Sequence, residues 1–179
     1  MMLMNATYDQ TPPFALEACA AKVVDVYDAD TITVAIEVLP GQISRWSVRI
    51  VGVDAPEIRP KRDNPHRALE KRAAIRCRDA LIERLVGFPV RRGLTRSRIR
   101  ALFAASEKLV RLEPIGFDKY GRILGDIKLP DTGASAKTQL IGGGFARDYG
   151  GGSRARWTEE DLLRILGEED ANVTDRPVT

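Results

Sequence analysis

The segment VYDADTITV, residues 26–34, places two carboxylates directly before a strand-like run. Asp28 and Asp30 precede residues 31–38, in which apolar side chains alternate with threonine, alanine and glutamate. This alternation is typical of a strand with one buried face. Aspartate is depleted in strands and like charges repel each other, so the pair favours either a tight turn or half of a metal site.

Further strand patterns lie on both sides of this segment. Residues 22–27 and 45–53 complete a meander, and strand patterns return at 108–113 and 122–129. A helix is predicted at 65–86, where apolar residues recur at every fourth position, and shorter helices at 97–106, 135–140 and 158–166. This order predicts an α+β fold, mainly a five-stranded barrel of the OB type with packed helices.

Length and composition predict one domain. A chain of 179 residues that is 44% hydrophobic can bury one sizeable core. We expect a loose arm at 1–19, the main domain at 20–152, and a C-terminal helix with an acidic tail at 153–179. The sequence shows neither a long apolar run nor a secretory signal, so a cytoplasmic protein without a membrane partner is the default, and export by another route stays open. We assume a monomer. The two cysteines are too few for a disulfide framework.

Charge is distributed unevenly along the chain. Residues 84–100 contain six arginines and no acid, whereas residues 159–175 contain seven acids and one arginine. An arginine-rich segment favours a surface that faces a polyanion, because the planar guanidinium suits bidentate contacts with phosphate. A solvated surface without a partner is the alternative.

Charged residues interrupt the apolar pattern at the ends of the predicted strands. Asp30 and Asp54 offer the carboxylate oxygens that Ca²⁺ and Mg²⁺ prefer. Glu57 follows the rigid Pro56 and is a candidate general base. Arginines in two other strand regions would bind a phosphate and stabilise the charge that develops on it. Together these residue types indicate phosphodiester hydrolysis, although each acidic motif taken alone is also typical of a turn.

Four motifs resemble the staphylococcal nuclease (thermonuclease-like) family over about residues 23–152. They are VYDADTITV, VRIVGVDAPEIR, FDKYGRILGDI and GGGFARDYGGG, and their order and local spacing agree with the family. The resemblance implies an OB-type barrel with helices. It also implies calcium-dependent, sequence-nonspecific hydrolysis of DNA or RNA that leaves 3′-phosphate ends.

The resemblance also implies a calcium site. Asp30 and Asp54 match the carboxylate ligands, and the backbone carbonyl of Ala55 matches a further ligand. Asp28 matches an acid near the metal that ligates weakly or through water. Ala29 replaces the more usual glycine between the two aspartates, which leaves the turn feasible but less free.

Catalytic roles follow from the same resemblance. Glu57 matches the general base on water, and Arg49 and Arg122 match the two phosphate-binding arginines. Three further residues are candidate substrate contacts: Lys119, Tyr120 and Tyr149. Because every charged position is filled, the resemblance favours an active nuclease over the alternative, a non-catalytic nucleic-acid-binding or scaffold module on the same fold.

The segment between Glu57 and Arg122 is longer than in compact members of that family. The extra residues fall at about 88–107 and contain most of the arginine-rich run. This insertion would either widen a track for nucleic acid or bind a protein partner. The sequence leaves these two roles open.

Overall fold

The computed structural model describes the backbone of residues 2–171 and the side chains of residues 4–167. Two short 3₁₀ helices, Met2–Asn5 and Tyr8–Gln10, precede the first strand. The part of the predicted acidic tail after residue 171 lies outside the described residues.

Seven strands and four helices follow within residues 19–171. The strands are β1 (Cys19–Asp28), β2 (Thr31–Leu39), β3 (Gln42–Ile50), β4 (Val53–Asp54), β5 (Val110–Phe117), β6 (Ile123–Lys128) and β7 (Arg147–Asp148). The helices are α1 (Arg67–Val86), α2 (Arg96–Ala105), α3 (Ala136–Gly142) and α4 (Glu159–Ala171).

Five of the strands close into a barrel in the order β1-β2-β3-β6-β5. The β3–β6 pairing is parallel, and the other four pairings are antiparallel. The predicted fold class, an α+β five-stranded barrel with packed helices, is therefore confirmed. The remaining strands, β4 and β7, pair with each other in a separate two-stranded sheet.

The third strand ends earlier than the predicted range 45–53. It stops at Ile50, and Gly52 then takes a φ of +72°, a left-handed conformation that a residue with a Cβ rarely adopts. The chain turns at this glycine, so Val53 and Asp54 leave the barrel and pair with β7. This turn decides where Asp54 lies, and the alternation of apolar residues gave no sign of it.

The fifth strand runs further than the predicted range 108–113. It continues to Phe117 although it contains Pro114, because a register irregularity lies between Pro114 and Gly116. On the neighbouring strand, Gly125 permits a close approach: a Cβ there would lie 2.5 Å from the carbonyl oxygen of Glu113.

The core joins the barrel interior to the inner face of α1. Ala73, Cys77 and Leu81 of this helix are fully buried, as their four-residue spacing predicted. Burial raises the pKa of the Cys77 thiol to about 12, and both cysteines are free. Among the described residues, no helix is both long and apolar enough to cross a membrane.

Candidate functional site

Strand register brings the predicted site residues to one end of the barrel. Asp28, the last residue of β1, is opposite Thr31 on β2, and Thr31 is opposite Arg49 on β3. Arg49 in turn pairs with Leu124 of β6, two residues after Arg122. An open cleft of about 420 Å³ is lined by Asp28, Thr31, Arg49 and Arg122, together with Glu57.

Arg49 is a buried cation that the protein holds at several points. Arg49 is only 7% exposed, and its guanidinium forms an ion pair with the carboxylate of Asp30. The same group donates hydrogen bonds to the carbonyl oxygens of Asp30, at 3.3 Å, and of Val53, at 2.8 Å. Burial first, and then the charge of Arg154, lower the pKa of Arg49 to about 10, so it remains charged at neutral pH.

Asp28 is buried with one carboxylate oxygen unsatisfied. The residue is 5% exposed, and its Oδ1 has no hydrogen-bond partner among the described residues. Burial raises the pKa of Asp28 to about 6, although the charge of Arg49 and hydrogen bonds from Thr31 act in the opposite direction. A poorly solvated carboxylate oxygen without a hydrogen-bond partner is a suitable ligand for a cation, which would supply the missing partner.

We therefore expect Asp28→Asn to stabilise the metal-free protein at pH 8. A folded-state pKa above the unfolded value means that the stability associated with this group is present below about pH 4 and is lost as the pH rises through about 6. The asparagine variant avoids that loss, which amounts to about 2–3 kcal/mol at 1.36 kcal/mol for each pKa unit.

Urea unfolding in the presence of chelator at pH 8 and pH 4 measures this difference. The exposed Asp9→Asn variant controls for removal of one negative charge. Equal stability of wild type and Asp28→Asn at pH 8 would contradict the prediction, and so would a gain that persists at pH 4.

Asp54 lies in the two-stranded sheet and contacts Arg147 and Arg154. It is 5% exposed, and Arg147 donates a hydrogen bond to its Oδ2 at 3.1 Å. The guanidinium of Arg147 also lies 3.7 Å from the centre of the Trp157 ring, which fixes its position. Ala55, the predicted carbonyl ligand, is buried next to Asp54 in a second open cleft of about 520 Å³ that shares Glu57 with the first.

Glu57 has a fixed backbone and an accessible side chain. Its backbone N–H donates to the carboxylate of Glu70 at 3.1 Å, and the Asn64 amide also donates to Glu70. The Glu57 side chain itself is 45% exposed. Burial and the nearby charge of Asp28 raise the pKa of Glu57, whereas Arg154 and Arg49 oppose this effect. A raised pKa brings a carboxylate closer to the range in which it accepts a proton effectively at neutral pH.

The sequence analysis did not identify Arg154, which the structure places among the candidate site residues. Its guanidinium lies 2.5 Å from Glu57, 3.6 Å from Asp54 and 3.9 Å from Asp30. It therefore contacts the candidate base and both candidate calcium carboxylates. Arg154 is 97 positions from Glu57 and lies two residues beyond the motif GGGFARDYGGG, so its position depends on the path of the glycine-rich loop that follows β7.

Arg122 approaches the cleft from the hairpin before β6. Asp118 accepts a hydrogen bond from its Nε at 2.7 Å, and the side chain is 34% exposed. The Arg122 guanidinium also lies 5.7 Å from the centre of the Tyr120 ring. Tyr120 and Lys119 are both exposed, and the Lys119 amine lies 5.2 Å from that ring. The structure thus places these two residues beside Arg122 rather than on the cleft wall.

Tyr149 contacts Arg154, which in turn contacts Glu57. Its hydroxyl donates to the carbonyl oxygen of Gly152 at 2.5 Å, and its ring centre lies 5.6 Å from the Arg154 guanidinium. The tyrosine therefore closes the loop that carries Arg154.

The donor chemistry of this site suits a hard cation. Buried carboxylates gather at the barrel end, and Asp28 Oδ1 lacks a hydrogen-bond partner. In the conformation described for residues 4–167, however, no cluster of three acids, histidines or cysteines is arranged to hold a metal ion. Arg49 and Arg154 instead contact the acids directly. A metal ion bound by Asp30 and Asp54 would therefore compete with these arginines for the carboxylates.

Comparison with known proteins found no family that matches this chain and no curated protein that is significantly similar to it. The staphylococcal nuclease resemblance thus depends on the four motifs.

Proposed function

We propose that this protein is a calcium-dependent nuclease that hydrolyses phosphodiester bonds of DNA or RNA without sequence specificity and leaves 3′-phosphate ends. The observation that carries the proposal is the convergence of Arg49, Arg122 and Glu57 on one cleft, beside the buried acids Asp28 and Asp30. The resemblance to staphylococcal nuclease supplies the reaction class and the end chemistry.

Both arginines line the same cleft and are held in place there, which supports a role in binding a phosphate. Arg49 is held by Asp30 and by two backbone carbonyls, and Arg122 is held by Asp118. Cations fixed before the substrate arrives stabilise the charge that builds on the phosphate oxygens without reorganising during the reaction. Both would therefore act mainly on the transition state.

Glu57 is the group that would take a proton from the attacking water. Its side chain is half-exposed, so water can reach it, while its backbone is fixed by Glu70. The water oxygen would form a bond to phosphorus as its proton passes to Glu57, and the bond from phosphorus to the 5′ oxygen would break, with the departing 5′ oxygen taking a proton from solvent to become a hydroxyl. The 3′ oxygen keeps the phosphate, which gives the proposed ends.

Calcium would be held by the carboxylates of Asp30 and Asp54 and by the Ala55 carbonyl, with Asp28 nearby. When bound, the ion supplies positive charge that polarises the phosphate oxygens. Other oxygen-preferring divalent cations suit the same donors.

Arg154→Ala is expected to tighten calcium binding, because Arg154 and a cation compete for the same acids. Each partly exposed ion pair contributes less than about 1 kcal/mol, so we expect a three- to tenfold lower Kd for the metal. Titration calorimetry at constant ionic strength measures this without any turnover. Arg156→Ala is the matched control, since Arg156 lies in the same loop and pairs with Asp63 instead. An unchanged or weaker affinity in Arg154→Ala would show that Arg154 does not compete with the metal.

The proposal as a whole is tested by incubating the protein with single-stranded DNA and with RNA, in calcium, in magnesium and in chelator. We expect calcium-dependent products that carry 3′-phosphates, and none in chelator. Binding of nucleic acid without products under any metal would instead support the non-catalytic module, for which the pairing of the site acids with arginines is the supporting observation.

A further inference from the structure

The insertion between α1 and β5 forms a helix that is fixed to the barrel. Helix α2 packs on β1, and two of its own side chains, Ile99 and Phe103, are buried. Arg96 and Arg100 lie one helical turn apart and therefore on the same side of α2. Arg98 lies between them in sequence and so projects in a different direction. The arginine-rich run is thus divided between two faces of one helix.

A single buried acid holds both arginines of the first face. The Nε of Arg96 and the Nε of Arg100 each lie 2.8 Å from Oδ2 of Asp25, a residue of β1 that is only 3% exposed. Both arginine side chains remain 56% exposed. One arginine would neutralise Asp25, so the trio keeps a net positive charge. Each arginine bonds to Asp25 through Nε, so this contact does not use the two terminal NH2 groups of its guanidinium, which can donate to an anion.

The groove along this face continues the cleft that contains the proposed active site. Arg96 and Thr33 line both the cleft and a neighbouring open groove of about 640 Å³. Arg45 of β3 and Arg100 of α2 also line that groove. Arg96 lies at the junction, where its guanidinium is 5.8 Å from the centre of the Tyr27 ring. Cations therefore continue from the cleft into the groove.

We propose that this groove, defined by Arg45, Arg96 and Arg100, binds the phosphodiester backbone of a nucleic-acid strand whose reacting phosphate lies in the cleft. This inference rests on the proposed function and extends it to the substrate: the enzyme would favour strands several nucleotides long over dinucleotides. Exposed arginines along an open groove suit a flexible single strand, whose phosphates follow one another at regular intervals. Asp25 sets the positions of two of these arginines.

The test uses glutamine variants, because glutamine removes the charge but keeps a donor for Asp25. Arg96→Gln/Arg100→Gln is compared with Arg98→Gln, a charge-matched change on the other face of the same helix. Binding of a labelled DNA strand of about 20 nucleotides is followed by fluorescence anisotropy in chelator, so that no cleavage is needed. KM and kcat are then measured with calcium for that strand and for a dinucleotide.

We expect the double variant to bind the long strand about tenfold more weakly, with a salt dependence reduced by about 1.4 in slope for two lost phosphate contacts. Its KM should rise for the long strand but not for the dinucleotide, and Arg98→Gln should behave like wild type. Arg100→Gln alone, which leaves Arg96 on Asp25, is the second variant should the double variant unfold. We expect this single variant to weaken binding of the long strand as well, with about half the reduction in the slope of the salt dependence.

Three outcomes would overturn the proposal: unchanged binding of the long strand, an equal loss in Arg98→Gln, or equally strong competition by polyglutamate, which would indicate an acidic protein partner. The proposed function fails separately. If wild type binds the strand through the groove but yields no products with any metal, the groove assignment stands and the nuclease assignment does not.

Discussion

Glu57→Gln is expected to lower the rate of phosphodiester cleavage by about a hundred- to ten-thousandfold, the usual contribution of a positioned general base. Glutamine keeps the shape of the side chain but cannot accept the proton of the attacking water. The loss should appear in kcat, because the arginines that would bind the substrate phosphate are untouched. Single-turnover cleavage of single-stranded DNA in calcium measures the effect directly.

The same change should leave the stability of the fold nearly intact. The Glu57 side chain is 45% exposed and its main contact is the ion pair with Arg154, itself 35% exposed. Such a pair contributes about 0–1 kcal/mol, and the backbone bond from Glu57 to Glu70 is unaffected. Glu113→Gln, on β5 and paired with Lys128, is the matched control for loss of one partly exposed acid. Wild-type rates in Glu57→Gln would remove Glu57 from the mechanism.

Arg49→Ala is expected to lower both activity and stability. Truncation leaves the buried carboxylate of Asp30 without its main cation and removes one hydrogen bond from each of the carbonyl oxygens of Asp30 and Val53. Removing one partner of a buried ion pair costs about 3–5 kcal/mol in the free energy of unfolding. Urea unfolding measures that cost, and cleavage at a temperature where the variant is folded measures the activity.

Arg122→Ala separates the two effects. Arg122 is 34% exposed and pairs with Asp118 at the surface, so its loss should cost no more than about 1 kcal/mol of stability. Its proposed role on the phosphate should still cost about 2–4 kcal/mol of transition-state stabilisation, which is a loss of roughly thirty- to a thousandfold in rate. A stable, fully active Arg122→Ala protein would make this arginine structural only. An Arg49→Ala protein as stable as wild type would show that the buried contacts contribute little.

Several features of the site oppose stability. Asp28 is buried with an unsatisfied oxygen, and Arg49 is a buried cation whose pKa is lowered by burial. Apolar residues at these positions would pack at lower cost. Such costs are common where a protein keeps charged groups ready for a ligand, because function and stability then place opposite demands on the same residues. The Asp28→Asn variant should therefore gain stability, and under the proposed function it should lose activity.

The barrel and the long helix followed from the sequence alone because they depend on local patterns. Alternation of apolar residues around VYDADTITV specified β2, and the four-residue spacing of Ala73, Cys77 and Leu81 specified α1. The residue types at the strand ends also identified Arg49, Arg122 and the acids as candidates before their positions were known. Strand order then brings these ends together, since the β3–β6 pairing joins segments that are far apart in the chain.

Contacts made by loops and by the inserted helix were decided only by the tertiary structure. Arg154 meets Glu57 across 97 positions, and Arg96 meets Asp25 across 71. Neither pair lies in one element, so no periodicity connects its members. The sequence determined which strands form and which charges they carry, because those properties depend on neighbouring residues. The tertiary structure decided which cations face the acids, because that depends on the turn at Gly52, on the glycine-rich loop after β7 and on how α2 packs against β1.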